Sequence, residues 1–146
     1  MNSEWKIETK AVQCGYEPGN GEPRILPLVQ STTFKYDDAQ SVADLFDLKS
    51  DGFFYSRLAN PTVAAFERKM AALEGGVAAV AVSAGQTANA FAIINIARSG
   101  DHVVAVSSLY GGTVSLLTNT LHQMGIDARY VSPQADEENI RRAHRP

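Results

Sequence analysis

Three short runs carry residue types that could hold a small anionic or planar ligand. The first is Ser83-Ala84-Gly85-Gln86-Thr87, where an apolar run passes into a helical pattern. The free N–H groups and dipole of a helix start there would suit an anion such as phosphate. Gly85 would let the ligand approach the backbone, and Ser83 and Thr87 add hydroxyl donors. A plain strand-to-helix turn with a serine cap explains the same residues. The second run, Tyr55-Ser56-Arg57, precedes Asn60-Pro61-Thr62. Its arginine offers a fork for phosphate or carboxylate and its tyrosine a hydroxyl, although an exposed Arg and a packed Tyr beside a helix cap is the simpler local account. The third, Leu109-Tyr110-Gly111-Gly112-Thr113, places a Tyr that could stack on a flat ligand or cover a sheet edge.

Other reactive residue types point to no site. His102, His122 and His144 are scattered without metal-site spacing and read as structural. Cys14, the single cysteine, lies in a Gly/Pro-rich stretch with no activating base beside it, so an inert thiol is expected. A dinucleotide fingerprint (GxGxxG) and a Walker phosphate loop are both lacking, which disfavours a nucleotide-binding domain.

The elements that would position these runs follow from the pattern of apolar residues. Residues 1–36 hold Pro18, Pro23 and Pro27 with no sustained apolar period. Because Trp5, Ile25, Leu26, Leu28 and Phe34 are too apolar for a solvated tail, an ordered extended arm is expected. Asp37 or Asp38 can cap a short helix running to about Leu48, and Phe53–Arg57 reads as extended. Asn60 and Pro61 open a helix whose apolar stripe is Val63, Phe66, Met70 and Leu73, stopped by Gly75-Gly76. The pattern then alternates. Strands are expected over Val77–Val82, His102–Ser107 and Ala128–Ser132. Helices are expected over Gly85–Arg98, buried on several sides, and over Gly112–Met124, with a last one from Asp136 to Arg145. Such alternation with short links predicts parallel strands, and strands apolar throughout suit a sheet covered on both faces. In such a sheet the Ser83 and Tyr110 loops share the strands' carboxyl edge, where ligands bind.

Composition narrows the function classes. The chain has 146 residues, 45% hydrophobic and 20% charged, so a globular α/β protein is expected rather than a disordered one. With 13 Lys+Arg against 16 Asp+Glu the net charge is −3, which gives no basic face for nucleic acid. No apolar run approaches the ~18 residues of a membrane span, and the first residues lack an apolar signal core, so a cytoplasmic protein is expected.

In order along the chain, these runs resemble the Cys/Met-metabolism family of pyridoxal-phosphate enzymes. The resemblance rests on Thr9–Gly15, Pro27–Phe34, Tyr55-Ser56-Arg57-Leu58-Ala59-Asn60-Pro61-Thr62, Ser83–Ala88 and Tyr110-Gly111-Gly112-Thr113. The Tyr-x-Arg-x-x-Asn-Pro-Thr run is the most specific. Cys14–Pro18 with Phe53–Arg57 looks most like the O-acetylhomoserine sulfhydrylase branch. Cystathionine γ-synthase, the cystathionine lyases and methionine γ-lyase are the alternatives within the family.

The resemblance implies an arm with a short helix over 1–59. It implies the first part of a three-layer α/β/α major domain of the aspartate-aminotransferase type over 60–146. It implies pyridoxal 5′-phosphate as cofactor, with O-acetylhomoserine and sulfide or a thiol as substrates. Gly85 and Gln86 would hold the cofactor phosphate through backbone donors, with Ser83 beside them; the family has Ser where this chain has Ala84. Tyr110 would stack on the pyridine ring. Tyr55 and Arg57 would reach the phosphate of a neighbouring subunit, which implies a homo-oligomer. The family's Schiff-base lysine follows the phosphate loop, whereas Lys6, Lys10, Lys35, Lys49 and Lys69 all precede it. No catalytic residue is therefore assigned. The expectation is the N-terminal piece of a longer enzyme, inactive by itself; a non-catalytic assembly or binding module is the alternative of another class.

Overall fold

The computed structural model describes residues 5–144. The chain divides into two compact units, 1–81 and 82–146. Arg145, the expected end of the last helix, lies outside the described residues.

The first unit is built from three helices and a paired segment. Helix α1 (Ile7–Gln13) falls in the arm, where no apolar period predicts one. Tertiary packing overrides weak local preference there. Cys14, at the end of α1, is 5% exposed, and Gly15 takes φ +97° against the third helix. A Cβ on Gly15 would overlap the Ala65 carbonyl and come within 2.9 Å of Lys69 Cβ, and Arg68 Nε donates to the Gly15 carbonyl at 3.0 Å. Helix α2 (Ala39–Phe46) starts at Asp38, whose carboxylate accepts from Ser41 N at 2.8 Å. That bond and a second from the Ser41 hydroxyl hold the Asp38 carboxyl below its ordinary value near 3.8. The helix ends at Phe46, two residues before Leu48, which turns to φ +56°.

Helix α3 (Pro61–Glu74) begins and ends as expected, with Asn60 as cap and Gly75 left-handed at its C-terminus. Its burial differs from the expected stripe: Ala65 and Ala71 are buried, while Val63 and Phe66 are exposed. Ala65 lies where Gly15 makes its close approach to α3. Ile25 and Leu28 of the arm are also exposed, so the apolar content of that stretch is not covered by its own unit. Thr33 pairs with Tyr55 in one antiparallel bridge, the only extended pairing described in this unit.

Val77–Val82 is a correction. It forms no strand, and Val77 and Val80 are exposed. A strand exists by pairing, and this segment has no neighbour to pair with among the described residues. The Ala81 N–H instead finds the Glu67 carboxylate at 2.7 Å.

The second unit contains a two-stranded parallel sheet rather than the expected three strands. Strand β1 (His102–Val106) pairs with β2 (Asp127–Val131), His102 opposite Asp127 and Val106 opposite Val131. Helix α4 (Gly85–Ile94) stops four residues short of Arg98 and buries no residue, contrary to the expectation of burial on several sides. Phe91, Ile94 and Ile96 are exposed. β1 is only half-buried, and Val106 is exposed, so the sheet is not covered on both faces as its apolar sequence predicts. Helix α5 (Gly111–Ser115) continues as a π-helical segment, Leu116–Leu121. Gly125, at φ +80°, closes it against Ser99. Helix α6 (Glu137–His144) is capped where expected, with Asn139 N donating to Asp136 Oδ1 at 2.8 Å.

The core of this unit is Leu117, Leu121 and Ile126, against which Ile93, Val103, Ala105 and Leu109 pack. Leu121 is 1% exposed, and Leu121→Ala should cost about 2–5 kcal/mol; a fall in the urea midpoint of unfolding, followed by circular dichroism, would show it. Gly15→Ala should loosen α1 from α3 and raise the rate at which a disulfide reagent labels Cys14 by about tenfold or more, since Ala is strained at positive φ.

Candidate functional site

The expected site residues fall into two groups, one in each unit. In the second unit, α4 begins at Gly85 after Ala84, whose side chain offers no acceptor to the helix start. A serine, threonine or aspartate at that cap would use one of the first N–H groups, and its absence forgoes about 1 kcal/mol of helix stability. The N–H groups of the first turn are thereby left uncapped by any side chain. A Cβ added to Gly85 would meet nothing within 4 Å, so the approach to this helix start is open. Ser83, two residues before it, is exposed.

Gln86 turns from this first turn towards the third run. Its Nε2 donates to Thr113 Oγ1 at 3.1 Å, which links α4 to α5. Its Oε1 is buried without a partner. Between them lies Gly112. A Cβ there would come within 2.6 Å of Tyr110 Cε1 and 3.4 Å of Gln86 Nε2. The tyrosine ring thus lies over a glycine whose missing side chain makes room for it, and 76% of Tyr110 is exposed. Tyr110 also precedes α5, and its N-terminal turn carries no side-chain cap.

A phosphate on a flat ring fits this arrangement. Uncapped backbone donors and an open glycine face the anion, and a mostly exposed aromatic ring lies on the loop that Gln86 joins to the same helix start. Gly85, Gln86 and Tyr110 are therefore brought together, and Ser83 adjoins them. Thr113 is the member that the sequence did not single out as a site residue. Its place directly after the Tyr-Gly-Gly turn was the only signal.

In the first unit, Tyr55 and Arg57 form a pair, with the guanidinium 5.2 Å from the tyrosine ring centroid. They sit on a turn held to the arm: Phe34 N donates to Phe54 O at 3.3 Å and Ser56 N to Thr32 O at 2.8 Å. Arg57 is exposed and Tyr55 half-buried. A cation held at the surface by a ring suits an oxyanion arriving from outside the unit.

The described residues hold no cluster of three or more metal-ligating side chains, and no described helix is long and apolar enough to cross a membrane. His122 pairs with Asp127 at 2.7 Å, and the His102 ring packs edge-on against His144. Cys14 is buried.

The family model for Cys/Met metabolism PLP-dependent enzymes matches residues 8–146. The O-acetyl-L-homoserine sulfhydrylase of Corynebacterium glutamicum is 44% identical over 144 residues, which cover 98% of this chain and 33% of that protein. The enzyme of the same name from Leptospira meyeri is also 44% identical, over 98% of this chain and 32% of its own length. Among solved structures, an O-acetylhomoserine (thiol)-lyase of Campylobacter jejuni, carrying a pyridoxyl-lysine phosphate, superposes with a TM-score of 0.85 at 32% identity, covering 95% of this chain and 34% of that one. This chain spans about a third of the length of the curated relatives it matches. With the family model matching residues 8–146 and two relatives 44% identical over 98% of its length, the chain belongs to the Cys/Met metabolism family of PLP-dependent enzymes.

Proposed function

We propose that this chain is the phosphate-holding part of a cytoplasmic, homo-oligomeric sulfhydrylase that exchanges the acetoxy group of O-acetylhomoserine for sulfide or a thiol. Homocysteine or methionine and acetate are the products. The observation that carries the reading is the uncapped start of α4 joined through Gln86 and Thr113 to the Tyr110 loop. The 44% identity to O-acetylhomoserine sulfhydrylases supports the choice of substrate within the family.

Each residue has a definite task in this proposal. The amides of Gly85 and Gln86 bind the phosphate, and the Ser83 hydroxyl adds a donor beside them. Tyr110 lies against the flat ring and orients it. Tyr55 and Arg57 serve the phosphate of a neighbouring subunit. The cofactor, when bound, supplies a ring that draws negative charge off the substrate carbons. Residues 1–59 act as the arm and residues from 60 onward as the first part of the cofactor domain. The lysine that anchors the cofactor comes from sequence other than these 146 residues, since all five lysines precede the phosphate loop.

Supplied with pyridoxal phosphate, O-acetylhomoserine and sulfide, the native product that carries this sequence should form homocysteine. A product inert towards O-acetylhomoserine but active on cystathionine would overturn the substrate reading. The 146-residue chain by itself should form no homocysteine, and robust formation would overturn the placement of the lysine.

A further inference from the structure

Asn60 has more to do than cap a helix. It is 8% exposed, the one buried polar residue described, and every hydrogen-bonding atom of its carboxamide is used. Oδ1 accepts from Thr62 N at 2.9 Å, the ordinary cap of α3. Nδ2 donates to Val29 O at 3.0 Å and to Ser56 Oγ at 2.9 Å. Ser56 Oγ passes its own proton on to the Ser31 carbonyl. The chain of bonds therefore runs from the helix start, through the centre of Tyr55-Ser56-Arg57, into the arm. Thr62 adds a parallel tie: it accepts from Val29 N at 2.9 Å and donates to Pro27 O at 2.8 Å.

We propose that Asn60 is the positioning residue for Arg57: its amide donors clamp Ser56 Oγ to the arm at Val29 O, and the clamp sets the turn from which the Arg57–Tyr55 pair presents itself to a phosphate. The phosphate half of this statement rests on the function proposed above, whereas the clamp does not. The physical argument is one of hydrogen-bond inventory. A carboxamide has two N–H donors and an acceptor, and all are needed here. An aspartate caps a helix as well as an asparagine does but donates nothing. In Asn60→Asp, Val29 O loses its donor, and Ser56 Oγ can serve the carboxylate only by leaving Ser31 O. The cap survives and the clamp fails. A purely structural cap would be indifferent to this change.

The test is hydrogen exchange read by mass spectrometry on the native product that carries this sequence, wild type and Asn60→Asp, with and without pyridoxal phosphate. Without cofactor, exchange over residues 53–58 should quicken about tenfold or more in the variant, while residues 61–74 of α3 keep the wild-type rate. Unchanged exchange over 53–58 would overturn the clamp, and so would equal acceleration of both segments. Ser56→Ala, which removes the acceptor without touching the cap, should reproduce the faster exchange over 53–58; failure to do so would also count against it. With cofactor, wild-type residues 53–58 should exchange more slowly, and the variant should lose that slowing. Absence of slowing in the wild type, with the clamp result intact, would refute the phosphate role of Arg57 and leave the clamp standing.

Discussion

The first backbone N–H groups of every helix need acceptors, and the helices of this chain meet that need in different ways. Asp38 closes the start of α2, Asn60 that of α3 and Asp136 that of α6, each with a side-chain oxygen 2.8 to 2.9 Å from a backbone nitrogen. These three helices are finished by their own sequence. At α4 the cap is Ala84, which brings no acceptor, and the open space around Gly85 leaves the donors accessible. Helix α1 also starts without a side-chain cap, but Glu8 in its first turn places negative charge there. The start of α4 has no such charge. These uncapped, accessible N–H groups are the physical basis of the proposed phosphate reading, and the Gln86–Thr113 bond links that helix start to the aromatic loop.

Burial is the second constraint. The second unit's core consists of Leu117, Leu121 and Ile126 with partly buried neighbours. Phe91, Ile94 and Ile96 face outward from α4 and its C-terminal turn, and Ile25 and Leu28 face outward from the arm. Such residues favour burial by about 1.5–3 kcal/mol each. They are therefore surfaces on which further protein would stabilise the fold, in keeping with a chain that spans about a third of its relatives' length.

What the sequence made legible was local chemistry. The caps at Asn60 and Asp136, the cap at Asp37 or Asp38 and the stop at Gly75 all follow from residue types and spacing, because each depends on neighbours a few positions away. The three candidate runs were visible for the same reason. What escaped depends on distant partners. Helix α1 exists where Gly15 meets Ala65 and Lys69, about 50 residues on, a contact no period encodes. Val77–Val82 has the composition of a strand but nothing to pair with. Val63 and Phe66 have helical spacing yet are exposed, because α3 makes its close contact with Gly15 at Ala65 and Lys69 instead. Asn60 was legible as a cap and silent as a clamp, since Val29 and Ser31 lie about 30 positions upstream.

The central claim is that these residues hold a cofactor whose anchoring lysine lies in other sequence. The most direct measurement is borohydride reduction of the native product, captured from its source cells with an antibody to this segment, followed by peptide mapping of the pyridoxyl-lysine. The account predicts a product heavier than 15.7 kDa with the adduct on a peptide outside these 146 residues. An adduct on Lys6, Lys10, Lys35, Lys49 or Lys69, or a 15.7 kDa product with none, would contradict it.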